Sequence, residues 1–370
     1  MTVVDLSERM GAQRAMPYRR VLVAGGGAWG AALAAVAARA GREVVVWARR
    51  PELAAEIDCD KRNRAALGDI ALPETIRATA DLVEAARGAD AALLVVPSVA
   101  IRETARALAA VLPAGAPVVL CAKGIERETG LLMSQVVASE SPGRPVAVLS
   151  GPSFAEEVAR DLPTAVTIAS DCAAHQGEAS VAARLALSLG TERFRPYLSD
   201  DMTGAEVGGT VKNVIAIACG MAQGAGFGSN ARAALITRGL DEIKTLADAL
   251  GGRRETVTGL SGMGDLMLTA SSTQSRNFSY GEQIGRRVPP AKLFGGRPVV
   301  VEGIENALSV TDLARRLGVR MPICEAVRAV IHEGESFSDM FERLWTAPLE
   351  SEPRALDLEL AHPAAAGEAS

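Results

Sequence analysis

Residues 19–39 read RRVLVAGGGAWGAALAAVAAR. Residues 21–24 form a short apolar run that reads as a strand. Gly25, Gly27 and Gly30 follow it with the spacing G-x-G-x-x-G, and the alanine-rich run behind them reads as a helix. Each glycine has a physical task. The first allows a tight turn, the second lets backbone approach a pyrophosphate, and the third lets the helix pack closely on the strand. The N–H groups opening that helix then face the phosphates. A glycine pattern alone is weak, but between a strand and a helix it predicts dinucleotide binding. Residues 21–38 carry no charge. Their glycines and motif fit this unit better than a membrane span.

Outward from there, similar apolar runs recur at 44–47, 92–96, 118–121, 146–149 and 165–169, alternating with Ala/Leu/Arg-rich helical stretches. Strands buried on both faces have this character. The alternation predicts an α/β fold, a doubly wound parallel sheet of Rossmann type. Beyond Ser199 no convincing strand remains. Residues 201–226 and 230–250 read as long helices, followed by helical segments near 281–287, 303–317 and 322–333. The expected organisation is a poorly ordered arm (1–18), a dinucleotide-binding domain (19–200), an all-helical substrate domain (201–345) and a disordered tail (346–370). A second glycine cluster, Gly224, Gly226 and Gly228, follows a helix and reads as an interhelix loop, with Ser229 or Asn230 as the next N-cap.

The composition excludes several function classes. The chain has 370 residues, 48% hydrophobic and 22% charged, which excludes disorder for the bulk. A net charge of −5 leaves no basic field for nucleic acid. Five scattered cysteines, with no CxxC pair, argue against a disulfide framework and a structural zinc site, and for a cytoplasmic protein. The first residues, MTVVDLSERM, do not resemble a signal peptide, and no stable membrane insertion is expected. No metal-ligand cluster is legible.

A site preferring NAD would place an acid about twenty residues past the glycines, on the ribose hydroxyls. Here the second strand ends in Arg49 and Arg50. A guanidinium fork suits a 2′-phosphate, so the expected cofactor is NADP in preference to NAD. The acid–base group is found by exclusion. None of the three histidines, His175, His332 and His362, adjoins a strand end or glycine loop, and no Tyr stands four residues before a Lys. Of 39 basic residues only five are lysine. A lysine in a glycine-rich setting therefore stands out. Lys212 lies on a stripe with Gly208, Ala216, Gly220 and Gly224, at every fourth residue of the first long helix. Small residues admit another backbone, so Lys212 should sit in a dry groove, where desolvation and a neighbouring cation lower its pKa into the range of a general acid/base. Lys123 follows a strand end, where ligands bind in open α/β sheets. Residues 150–155, 264–265 and 275–277 read as polar loops, the last a plausible phosphate grip.

Taken together, GGGAWG (25–30), VVPS (95–98), CAKGIE (121–126), LSGPSFAEEV (149–158), GGTVKNVIAIACG (208–220), NARAALITRGLDE (230–242), GLSGMGDLMLTASSTQSRN (259–277) and VEG (301–303) resemble the bacterial NAD(P)-dependent glycerol-3-phosphate dehydrogenases. The resemblance implies reversible reduction of dihydroxyacetone phosphate to sn-glycerol 3-phosphate, a phospholipid precursor. It implies that Lys212 is the proton donor and acceptor. Lys123, Gly151, Ser153, Lys212, Asp265, Ser275, Arg276 and Asn277 would bind substrate. Trp29, Arg49, Arg50, Lys123, Ala155, Arg276, Val300 and Glu302 would join the glycines at the cofactor. A homodimer is a fair expectation for such a fold. Two departures touch the cofactor side. Ala28 stands where the family often has Ser, and 63–73 lacks the family's Tyr-Leu-Pro. Two other readings stay open on the residues alone: a hydroxyacid or ketopantoate dehydrogenase of the same build, and a non-catalytic NADP sensor.

Overall fold

The computed structural model describes residues 15–171, 180–350 and 359–364. Eight strands form one sheet: β1 (Arg20–Ala24), β2 (Glu43–Trp47), β3 (Arg77–Thr79), β4 (Ala91–Leu94), β5 (Val118–Leu120), β6 (Val146–Ser150), β7 (Thr164–Ala169) and β8 (Phe194–Ser199). Their spatial order is β3-β2-β1-β4-β5-β6-β7-β8. The direction of winding reverses beside β1, the crevice where doubly wound sheets bind dinucleotides. The central strands are buried on both faces, in two separate apolar cores. Helices α1 (Ala28–Arg39), α2 (Pro51–Ala55), α3 (Arg64–Leu67), α4 (Leu82–Ala86), α5 (Ile101–Val111), α6 (Met133–Glu140), α7 (Ala155–Ala159) and α8 (Val181–Leu189) connect them.

Two sequence expectations about the sheet need correction. It is mixed rather than wholly parallel, because β7 runs antiparallel to β6. The 151–163 segment stays at the C-terminal edge of β6, so the chain has to re-enter the sheet in reverse. β8 then pairs parallel to β7. The strands β3 and β8 were not legible as apolar runs. Both are sheet edges, and edge strands need only part of their surface covered. β8 even carries Pro196, which an edge tolerates.

The helical half contains α9 (Met202–Gly224), α10 (Ser229–Ala249), α11 (Arg254–Thr258), α12 (Asp265–Ser271), α13 (Arg276–Gly285), α14 (Glu302–Leu317), α15 (Pro322–His332) and α16 (Phe337–Trp345). Nineteen of the 23 residues of α9 are buried, so it is the axis of a third core. The stripe of small residues works as the sequence implies. A Cβ on Gly220 would lie 2.1 Å from the Phe278 carbonyl oxygen, and one on Gly224 2.1 Å from that of Glu282. Glycine is what lets α13 lie against α9. Several readings change here. The segment expected at 281–287 begins at Arg276, α11, α12 and α16 were not foreseen, and Gly228, not Ser229 or Asn230, is the N-cap of α10.

The chain ends also differ from expectation. Within the arm, residues 15–18 are structured. Tyr18 is buried, its N–H donates to Ser188 Oγ at 2.8 Å, and the Arg184 guanidinium lies 4.0 Å above its ring. In the tail, Leu349–Glu350 and Glu359–Leu360 pair as a short antiparallel ribbon. Residues 1–14, 351–358 and 365–370 lie outside the described residues. Among the described residues no helix is long and apolar enough to cross a membrane, and no cluster of His, Cys, Asp and Glu could hold a metal ion.

Candidate active site

The glycine turn fits a dinucleotide. Gly25 has φ +129°, and a Cβ there would meet the Val95 carbonyl oxygen at 2.6 Å. A Cβ on Gly30 would lie 1.8 Å from the Gly25 carbonyl oxygen, so α1 can stand on the turn only with glycine there. Gly27, the N-cap of α1, is exposed to open space, and no side chain caps the helix. The first N–H groups of α1 are thereby left for an anion. Asn63, 1% exposed, donates its amide to the Gly26 carbonyl at 2.9 Å and braces the turn from behind. Trp29 is half-buried at the start of α1. Just past β2, Arg49 and Arg50 are exposed, and neither side chain makes a hydrogen bond or ion pair among the described residues.

The candidate reactive centre lies where α9 and α12 meet the C-terminal edge of the sheet. Lys212 is buried on α9. Its Nζ lies 3.0 Å from Asp265 Oδ1 and donates to Thr269 Oγ1 at 2.6 Å. Lys123, just past β5, reaches the other carboxylate oxygen, Nζ to Oδ2 at 2.5 Å. One buried carboxylate thus serves two ammonium groups. Burial pushes the Asp265 carboxyl up, but Lys123 and Lys212 together outweigh burial and hold it below the ordinary carboxylate range. Lys212 moves the opposite way. Burial lowers it, the Asp265 carboxylate pulls it back up, the Lys123 charge lowers it further, and the balance stands at about 8. The neighbouring cation expected from the sequence is therefore Lys123.

A buried amide relay adjoins this centre. Asn213, next to Lys212, donates to Glu302 Oε2 at 3.2 Å and accepts from Asn277 Nδ2 at 2.9 Å. Asn277 Oδ1 accepts from the Gly303 N–H at 2.9 Å. This ties α9 to the first turns of α13 and α14. On the sheet side, Gly151 has φ +153°, and a Cβ there would lie 3.0 Å from Val166 Cα. Ser153 Oγ donates to the Gly151 carbonyl at 3.1 Å. Pro152 comes within 3.6 Å of a Cβ placed on Gly264, which brings the β6 loop beside the turn that delivers Asp265. Ala155 opens α7, half-buried.

The structure thus joins Lys123, Lys212 and Asp265 directly, and sets Asn277 and Glu302 beside them. Arg276 is exposed at the first position of α13, and Val300 is 63% exposed just before α14. Arg49 and Arg50 follow β2, which β1 and β4 separate from β5 and Lys123. Two expected loops are helical. Asp265 begins α12, and Ser275 is the N-cap of α13, accepting from the Phe278 N–H at 3.2 Å. The expected free grip is therefore a helix N-terminus. Its Asn277 amide is already committed inside the protein and its Phe278 N–H to Ser275, while the Arg276 side chain is exposed. Sequence reasoning missed Thr269 and Asn213. Thr269 stands four residues after Asp265, a helical spacing legible only once 265–271 is known to be a helix.

Residues 20–176 match the family model described as the NAD-dependent glycerol-3-phosphate dehydrogenase N-terminus, and residues 201–342 match its C-terminus. A glycerol-3-phosphate dehydrogenase [NAD(P)+] of Rhodospirillum rubrum is 49% identical over 332 residues, 90% of this chain and 93% of its own length. The crystal structure of a glycerol-3-phosphate dehydrogenase from Coxiella burnetii superposes with a TM-score of 0.82 at 38% identity, covering 89% of this chain and 99% of that one. A ketopantoate reductase of the PanE/ApbA family from Ralstonia eutropha reaches a TM-score of 0.56 at 19% identity over 85% of this chain and 97% of its own, a likeness of fold alone.

Proposed function

Because the chain belongs to the NAD(P)-dependent glycerol-3-phosphate dehydrogenase family, we propose that Lys212 is the proton donor and acceptor of its reaction. The enzyme interconverts dihydroxyacetone phosphate and sn-glycerol 3-phosphate with NAD(P)H. The observation that carries the proposal is the pairing of Lys212 and Lys123 across Asp265.

When bound, the nicotinamide cofactor supplies the hydride. The protein's residues handle charge, proton and position. Reduction builds alkoxide character on the ketone oxygen, which a fixed ammonium stabilises before giving up its proton. Lys212 is suited to both tasks. At about 8 its pKa leaves the ammonium populated at neutral pH yet a readier acid than an ordinary lysine. Asp265 and Thr269 fix the direction of Nζ. Lys123 keeps a second positive charge at the same carboxylate, within reach of the substrate side.

The phosphate end falls to Arg276 and the opening N–H groups of α13, with Gly151 and Ser153 lining the opposite wall. A remote phosphate grip supplies binding energy that orients the carbonyl. Ser275 and Asn277 shape this grip from within. Gly25, Gly27, Gly30 and Trp29 hold the pyrophosphate and nicotinamide side, with Lys123, Ala155, Arg276, Val300 and Glu302 nearby. Arg49 and Arg50, whose side chains have no partner among the described residues, favour NADPH over NADH through a 2′-phosphate. The product's chemistry suits supply of the glycerol phosphate backbone to phospholipids, in the cytoplasm and as a homodimer.

Initial rates with dihydroxyacetone phosphate, dihydroxyacetone and ketopantoate, each with NADPH and NADH, test this reading. Turnover should require the phosphorylated ketone and prefer NADPH. Equal use of the unphosphorylated ketone would overturn the phosphate grip, and a preference for NADH would overturn the role of the two arginines.

A further inference from the structure

Glu206 lies on α9 six residues before Lys212, and none of the chemistry above uses it. It is 5% exposed. Its carboxylate reaches out of the helical half to the start of α6, on the sheet side. Oε1 accepts from the Ser134 N–H at 2.9 Å, and Oε2 accepts from the Ser134 hydroxyl at 2.5 Å. The Met133 N–H also bonds to it. Burial pushes the group up, these bonds oppose that rise, the charge of Asp171 adds to it, and the balance stands at about 7. A carboxylate is thus kept in a dry interface, against its solvation, on a helix whose neighbouring residues are Ala205, Val207, Gly208 and Gly209.

Two further contacts lie between this bond and the reactive centre. A Cβ on Gly209 would meet Ser150 Oγ at 2.8 Å and Lys123 Cγ at 3.4 Å. Lys212 then shares Asp265 with Lys123. The helix therefore meets the sheet side at successive levels: Glu206 on Ser134, Gly209 on Ser150 and Lys123, and Lys212 through Asp265. At about 1.5 Å of rise per residue these levels are roughly 4.5 Å apart. A helix is stiff over that length, so a slide or roll of α9 at Glu206 is passed on to Lys212 Nζ. Misplacement of a reacting group by about 1 Å can cost on the order of 100-fold in rate.

We infer that Glu206 is a positioning residue for the proton-transfer step: its bond to Ser134 sets the height and rotation of α9, and so where Lys212 meets the substrate. The inference rests on Lys212 as the proton donor. Both are tested together by comparing Glu206→Gln, Ser134→Ala, the double variant and Lys212→Met in the full-length enzyme. The readouts are kcat and KM for both substrates, NADPH affinity and melting temperature.

Glutamine keeps the shape and one acceptor but loses the charge-assisted pair. The expected result is a fall in kcat of about ten-fold or more for Glu206→Gln. Ser134→Ala should show a smaller fall, and the double variant should be no worse than Glu206→Gln. KM values and NADPH affinity should stay within about two-fold, since the groups that hold both ligands are untouched. A lower melting temperature with wild-type kcat in both single variants would overturn the inference, because it would mean a structural tie only. A large rise in KM for NADPH would overturn it too. If Glu206→Gln does not fold, Ser134→Ala decides alone, since it removes the hydroxyl and leaves the backbone donor. Wild-type rates for Lys212→Met would instead overturn the proton-donor reading itself.

Discussion

Replacing Asp265 by asparagine preserves shape and removes the carboxylate that Lys123 and Lys212 share at 2.5 and 3.0 Å. An opposite charge this close is worth ~1–3 pKa units. The Lys212 ammonium, at about 8 in the intact enzyme, should therefore drop by ~1–3 units. For a drop of about two units, a donor roughly 90% protonated at neutral pH becomes roughly 10% protonated. Reduction at neutral pH should then fall about ten-fold from protonation alone, and recover on acidification. Oxidation of glycerol 3-phosphate needs the neutral amine and should not lose that factor. The half-buried Lys123 ammonium and the remaining protonated fraction of Lys212 also lose their counter-ion, so the variant should melt below the wild type. The assay is the pH profile of kcat in the reducing direction at saturating NADPH and dihydroxyacetone phosphate. An inflection that stays near pH 8 in Asp265→Asn would refute the electrostatic coupling of the three groups.

Other expectations follow from the same geometry. Alanine at both Arg49 and Arg50 should lower the NADPH-over-NADH preference by about ten-fold or more, since each charge-assisted phosphate bond is worth about 1.5–3 kcal/mol. Melting temperature should stay constant, because neither side chain has a partner among the described residues; an unchanged cofactor ratio would count against their role. Gly220→Ala should destabilise by about 1–3 kcal/mol or more, because the added carbon meets the Phe278 carbonyl oxygen at 2.1 Å. It should also raise KM for the phosphorylated ketone by displacing α13, and a neutral effect in denaturant titration would contradict the close helix approach. The lowered pKa of Lys212, about 8 against an ordinary 10.5, means the unfolded chain binds a proton there that the folded one has lost. Its burial thus costs stability below about pH 8, and the cost fades as pH rises from there towards 10.5. The melting temperature of the wild type relative to Lys212→Met should rise across that window, and a flat difference would argue against a depressed pKa.

Much of this was legible in the sequence, for identifiable reasons. The strand–glycine–helix unit at 20–39 was clear because turn, phosphate approach and packing all constrain the same few residues. Lys212 stood out because a charged residue on a stripe of glycine and alanine has few explanations. The edge strands β3 and β8 were not legible, because half-solvated strands need no apolar run. The reversal of β7 depends on which edge of the sheet the 151–163 segment occupies, and composition does not encode that. α12 and the first turn of α13 looked like loops because their polar residues face the site instead of solvent. Hence Asp265 read as part of a substrate wall, although its buried carboxylate is spent on the two lysines. The commitment of the Asn277 amide to Asn213 and Gly303 is likewise set by three helices meeting, and no local pattern carries it.

The central claim is that Lys212 moves the proton. The most direct test is kcat for dihydroxyacetone phosphate reduction by Lys212→Met, with NADPH binding measured by fluorescence on the same sample. The geometry predicts a loss of about 100- to 10,000-fold in kcat, with NADPH affinity close to wild type, because the glycine turn and the two arginines are untouched. A Lys212→Met enzyme that binds NADPH and still turns over within a few-fold of wild type would contradict it.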